Sequence, residues 1–106
     1  MPKYLVTGSY TAEGLKGLLK EGGSGRRKAV EDALKQMGGK LDAYYFAFGD
    51  SDVVSIVDVP DNVTAAALAI GISSTGTVGT RTTILLTPEE IDQAAKKTLD
   101  FRPAGR

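Results

Sequence analysis

The sequence predicts a small α+β domain built on a four-stranded antiparallel sheet, and three observations predict it. Short β-rich runs alternate with stretches of helical periodicity in the order β-α-β-β-α-β. A tight turn, Gly49-Asp50-Ser51, joins the two central runs as a hairpin. The length, 106 residues, suits one domain with one modest core. Two βαβ-type halves around a central hairpin form the ferredoxin-like sandwich, here with an added C-terminal helix. The domain is expected to span residues 1–100, with 101–106 as a loosely ordered tail.

The first strand is read over Lys3 to Tyr10. Thr11 caps a helix whose Leu15, Leu18 and Leu19 recur at helical spacing, and Gly22-Gly23-Ser24-Gly25 breaks it. A second helical piece carries Val30, Ala33, Leu34 and Met37 on one stripe, and Gly38-Gly39 stops it. An aromatic strand follows over residues 40–48, and Asp52 to Val59 returns beside it. Pro60 ends that strand, and Asp61 or Asn62 caps an alanine-rich helix reaching about Ile72. Thr77 to Leu86 is the last strand. Thr87-Pro88-Glu89-Glu90 then opens the terminal helix with Thr at the N-cap, Pro at the first position and Glu three residues after the cap.

Alternation along the strands defines two faces. Tyr4, Val6, Tyr10, Tyr44, Phe46, Phe48, Val54, Ile56, Val78, Ile84 and Leu86 are assigned to the helix-covered face. The opposite face is assigned Leu5, Thr7, Ser9, Leu41, Ala43, Tyr45, Ala47, Val53, Ser55, Val57, Arg81, Thr83 and Leu85. A solvated face would be mostly polar and charged. This one carries a single charge, Arg81, so leaving it open would expose an apolar patch that monomers generally avoid. Pairing with a second copy, sheet to sheet, would bury it in a dimeric α/β barrel. The other possible cover is the terminal helix folding over the open face.

Composition narrows the chemistry. Thirteen basic residues balance thirteen acidic ones, which argues against a dedicated nucleic-acid binder. The absence of both cysteine and histidine removes disulfides, Cys-His and Ser-His nucleophile pairs, and ordinary zinc, copper or histidine-ligated haem sites. No cofactor and no metal are expected. No signal-like or membrane-length apolar run is visible, so a cytoplasmic chain without membrane contact is expected.

The residues Tyr10-Thr11-Ala12-Glu13-Gly14, Gly22-Gly23-Ser24-Gly25-Arg26, Tyr44-Tyr45-Phe46-Ala47-Phe48-Gly49 and Leu86-Thr87-Pro88-Glu89-Glu90 resemble, in order, those of the GYD domain family. The resemblance spans nearly the whole chain. It implies a small bacterial protein with a ferredoxin-like fold and dimeric α/β-barrel association, and it assigns no chemistry. The Gly-Tyr-Asp signature falls at the hairpin turn, where Gly49-Asp50-Ser51-Asp52 stands. Gly49 and Asp52 carry over; with Ser51 in place of the tyrosine, a role needing the phenol does not.

Arg81 leads the candidate ligand residues, with Tyr45, Thr83, Ser55, Thr7 and Asp52 expected around it. A partly buried guanidinium needs a partner, either a carboxylate such as Asp52 or an acid of another copy, or a small anionic ligand. Ser24, Arg26 and Arg27 form a second candidate anion site at a helix start, set against a flexible break with solvated arginines. The flanking acids Asp50 and Asp52 are explained by turn chemistry. The function expected is a homo-oligomer, a homodimer or larger, that binds a small anionic molecule or serves assembly. The alternative is a cofactor-independent oxygenase or isomerase working through carboxylate, Tyr or Lys.

Overall fold

The computed structural model describes all 106 residues. Seven elements follow one another: β1 (Lys3–Tyr10), α1 (Ala12–Gln36), β2 (Lys40–Phe46), β3 (Val53–Asp58), α2 (Asn62–Ser73), β4 (Val78–Leu85) and α3 (Pro88–Ala95). The sheet order is β2-β3-β1-β4, every neighbour antiparallel, which is the ferredoxin-like topology. The core lies between this sheet and α1 and α2, around Tyr4, Leu34, Val57, Val59, Ala65 and Leu68.

The caps form where hydroxyl and carboxylate residues precede helical periodicity. Thr11 accepts from the Gly14 amide, Asp61 from the Thr64 amide, and Thr87 from the Glu90 amide. Glu90 reaches back to the Thr87 amide at 2.8 Å, completing a capping box. Of the two residues expected to cap α2, Asp61 does so; Asn62 instead accepts the buried Tyr4 hydroxyl at 2.6 Å.

The glycine-rich break is one residue rather than a four-residue loop. Gly22 alone departs from helical geometry, at φ 81 and ψ 166, and the helix resumes at once. That conformation is open almost only to glycine. Ser24, Arg26 and Arg27 therefore sit on helix, not in a flexible loop.

The expected face assignment is corrected in β3 and at the ends of β2 and β4. Tyr4 pairs with Val57, Val6 with Ser55 and Gly8 with Val53, so Val53, Ser55 and Val57 face the helices while Val54 and Ile56 face away. Every residue from Val53 to Val57 except Ser55 is aliphatic, so hydropathy alone does not set the phase. Space sets it: a β-carbon on Gly8 would stand 2.9 Å from a Val53 methyl and 3.0 Å from a Val78 methyl. A bulge at Asp42 turns Leu41 to the helix side, where it packs on the core. Phe48 and Leu86 lie beyond their strands and are exposed.

The open face thus presents Leu5, Ala43, Tyr45, Val54, Ile56 and Leu85 among Thr7, Arg81 and Thr83. Lys3, which pairs with both Leu85 and Asp58, adds a charged end to this face beyond Arg81. The terminal helix does not cover it: α3 has no buried residue, and Ile91 within it and Leu99 beyond it are exposed. The chain reaches 57 Å along its longest axis, with a radius of gyration of 17.0 Å. About 13 Å is usual for a compact chain of this length.

Candidate ligand-binding site

The residues expected around Arg81 do not converge. Arg81 on β4 stands opposite Thr7 on β1, and Tyr45 on β2 stands opposite Val54 on β3. Arg81 and Tyr45 therefore occupy the two outer edges of the sheet, ~14 Å apart at three strand spacings. Thr83 pairs with Leu5, one row further along. Ser55 lies on the other side of the sheet, buried, its hydroxyl donating to the Val6 carbonyl at 2.9 Å. Asp52 is engaged at the strand end: it accepts from the Tyr10 amide at 2.8 Å, and its own amide donates to the Gly8 carbonyl at 2.8 Å. Arg81 makes no ion pair within the chain. It borders a polar concavity of about 600 Å³ with Thr7, Ser9, Asp50, Ser51 and Thr80.

Of the second group, Ser24 and Arg27 share a surface recess with Tyr45, while Arg26 goes elsewhere. Ser24 is exposed on the helix surface. Arg27 turns toward Glu31, one helical turn on, at 4.0 Å. Arg26 turns inward, to the edge of a cavity that the sequence did not reveal.

That cavity, about 150 Å³, lies between the sheet and the two long helices. Its walls include Val30, Ala33, Leu68, Ile72, Val53 and Val57. Ser55 lines it with its hydroxyl already committed to Val6. Tyr10, Tyr44 and Arg26 also border it, as does Thr80 from β4. An apolar chamber with a few convergent polar groups is the usual form of a small-molecule site.

Tyr10, Tyr44 and Arg26 act on one another. Burial pushes the Tyr44 phenol well above its ordinary value, and the neighbouring Tyr10 hydroxyl adds to this while Arg26 opposes it. Burial works against the Arg26 charge, but the Glu21 carboxylate and the Tyr10 hydroxyl outweigh it and hold the guanidinium protonated. Glu21 Oε2 lies 3.3 Å from Arg26 Nη1. The Tyr44 ring also meets Phe46 edge-on, with centroids 5.5 Å apart, which fixes the aromatic side of the cavity.

A GYD domain matches residues 4–95, from the first strand to the last turn of α3. The chain belongs to the GYD domain family. No curated protein and no solved structure matches it. Within this GYD domain, Asp52 after the hairpin turn accepts from the Tyr10 amide and so holds the end of β1, with Tyr10 at the cavity. Ser51 lines the polar concavity beside Arg81 instead.

The sequence places Tyr10 and Tyr44 on the helix-covered face of the sheet and carries no local signal for Glu21. One signal was present for Arg26. It precedes Ala29, Val30 and Ala33 by three, four and seven positions, so it shares their apolar stripe. An arginine on the buried stripe of a helix marks a polar edge to an otherwise apolar space.

Proposed function

We propose that this GYD domain protein is a homo-oligomeric binding module for a small, largely apolar molecule with an anionic end. The observation that carries the reading is the cavity under α1 and α2, apolar within and bordered by Tyr10, Tyr44 and Arg26. Two copies pair through the open sheet face. The apolar Leu5, Val54, Ile56 and Leu85 on that face, uncovered by α3, support the pairing. No helix is long and apolar enough to cross a membrane.

A cofactor-independent oxygenase or isomerase is the second reading, and the Tyr44 phenol favours it. A phenol kept neutral at a cavity wall can donate a proton to a bound carbonyl or enolate oxygen. Catalysis also needs a base. No carboxylate lines the cavity, and Glu21, which reaches Arg26 at its edge, is held in that pair. Binding is therefore placed ahead of turnover.

Cavity binding is tested by following methyl resonances of the ¹³C-labelled protein during titration with benzene, beside an Ala33→Phe variant that fills the space. Saturable shifts at Val30, Leu68 and Val78 in the native chain, lost in the folded variant, are expected. No shift at any of these methyls would refute a ligand cavity.

A further inference from the structure

Arg26 faces two spaces. Inward lies the apolar cavity; outward lies a recess of about 90 Å³ bordered by Glu13, Gly17, Glu21 and Thr77. Tyr10 and Arg26 line both, so these two side chains are the partition between them. The one ion-pair partner of Arg26 is Glu21, and Gly22, the single non-helical residue of α1, stands between the two. The contact is a single one at 3.3 Å. A guanidinium matched to a carboxylate makes two parallel bonds of ~2.7–2.9 Å. Arg26 thus holds donor capacity that Glu21 does not use.

From this arrangement, and resting on the binding function proposed above, we infer that the ligand is a single-ring carboxylate of benzoate size. Its ring fills the apolar cavity, its carboxylate pairs with Arg26, and Glu21 is a built-in competitor that it displaces. Size supports the ring: an apolar cavity of ~150 Å³ accepts benzene. Charge supports the carboxylate. Arg26 is the cavity's only cation, and a partly buried guanidinium requires an anion whether the site is filled or empty. When the site is empty, Glu21 fills that role from across the break. Glycine at position 22 gives the segment bearing Glu21 the backbone freedom to withdraw. Tyr10 and Tyr44 border the cavity as well and can donate to the bound carboxylate.

The test is calorimetric titration of the intact protein with benzoate, with its neutral isostere benzamide, and with benzene. Benzoate is expected to bind about tenfold more tightly than benzamide, the gain typical of a charged hydrogen-bonded pair. Arg26→Gln should remove that preference. Glu21→Gln should tighten benzoate several-fold and leave benzamide unchanged, an effect opposite to that of simply damaging the site. Circular dichroism establishes that each variant is folded, and Glu21→Gln decides alone if Arg26→Gln is not.

Equal affinity for benzoate and benzamide, or a Glu21→Gln variant that binds benzoate no better, would overturn the inference. If benzene and benzamide bind while benzoate gains nothing, the cavity stands and only the anion-displacement mechanism falls. If none of the three binds, both fall.

Discussion

Gly8 of β1 lies directly opposite Val53 of β3, and a Val53 methyl occupies the space a Gly8 side chain would need, 2.9 Å from its β-carbon position. Val78 closes on the same gap from β4, at 3.0 Å. The missing side chain lets both valines reach the helix side of the sheet, where they line the cavity. Gly8→Ala is accordingly expected to cost ~1–3 kcal/mol through overpacking. Gly17→Ala is the control: its added methyl meets nothing within 4 Å, in a helix, and should be neutral or slightly stabilising. Urea melts of the two variants give the comparison, and equal stabilities would show that Gly8 is not sterically required.

The pairing of open faces is tested at Ile56. This side chain points away from the helices, between Leu5 and Ala43 on the flanking strands. Ile56→Asp is expected to raise the dimer dissociation constant by roughly thirtyfold or more, as loss of a central interface residue does. Sedimentation across a dilution series reads the change, with far-UV circular dichroism retained.

Alkali should weaken the fold through Tyr44. Its folded phenol is held neutral well above the ordinary tyrosine value of 10.0, while the unfolded phenol ionises there. The unfolded chain therefore loses its proton first as pH rises, and stability falls above about pH 10. Tyr44→Phe should flatten that limb. Ultraviolet titration of the native protein should show a phenol that ionises well above 10.0 and is missing from Tyr44→Phe.

Acid should act through Asp61 and Asp42. The Thr64 hydroxyl and amide hold the Asp61 carboxylate below its usual 3.8, and a hydrogen bond from Lys3 does the same for Asp42. Both contributions are present above the ordinary carboxylate range and are lost as pH falls through the lowered folded values. Asp61→Ala should lower the melting temperature by a few degrees at neutral pH and reduce the acid dependence. Asp61→Asn should keep most of the cap and also lose that pH dependence.

Much of the fold was legible because its signals are local. Thr87-Pro88-Glu89-Glu90 can hardly be read as anything but a helix start, and its capping box forms as read. The strand order followed from the number and sequence of elements. The phase of β3 did not, because Val53, Val54, Ile56 and Val57 offer two apolar faces, and the choice is made by Gly8 on another strand. The candidate site suffered most from this. With Ser55 on the wrong side, Arg81, Tyr45, Thr83 and Thr7 looked like a cluster when they line one broad face from edge to edge. The register also brings Tyr10 and Tyr44 to one cavity from strands 34 residues apart, an encounter no local pattern encodes.

Native mass spectrometry of freshly purified protein tests the central claim most directly, because one spectrum reports both assembly and retained ligand. A species of two 11.1 kDa chains, with an added mass that Ala33→Phe abolishes, is predicted. A bare 11.1 kDa chain at micromolar concentration, unchanged when small acids are supplied, would contradict it.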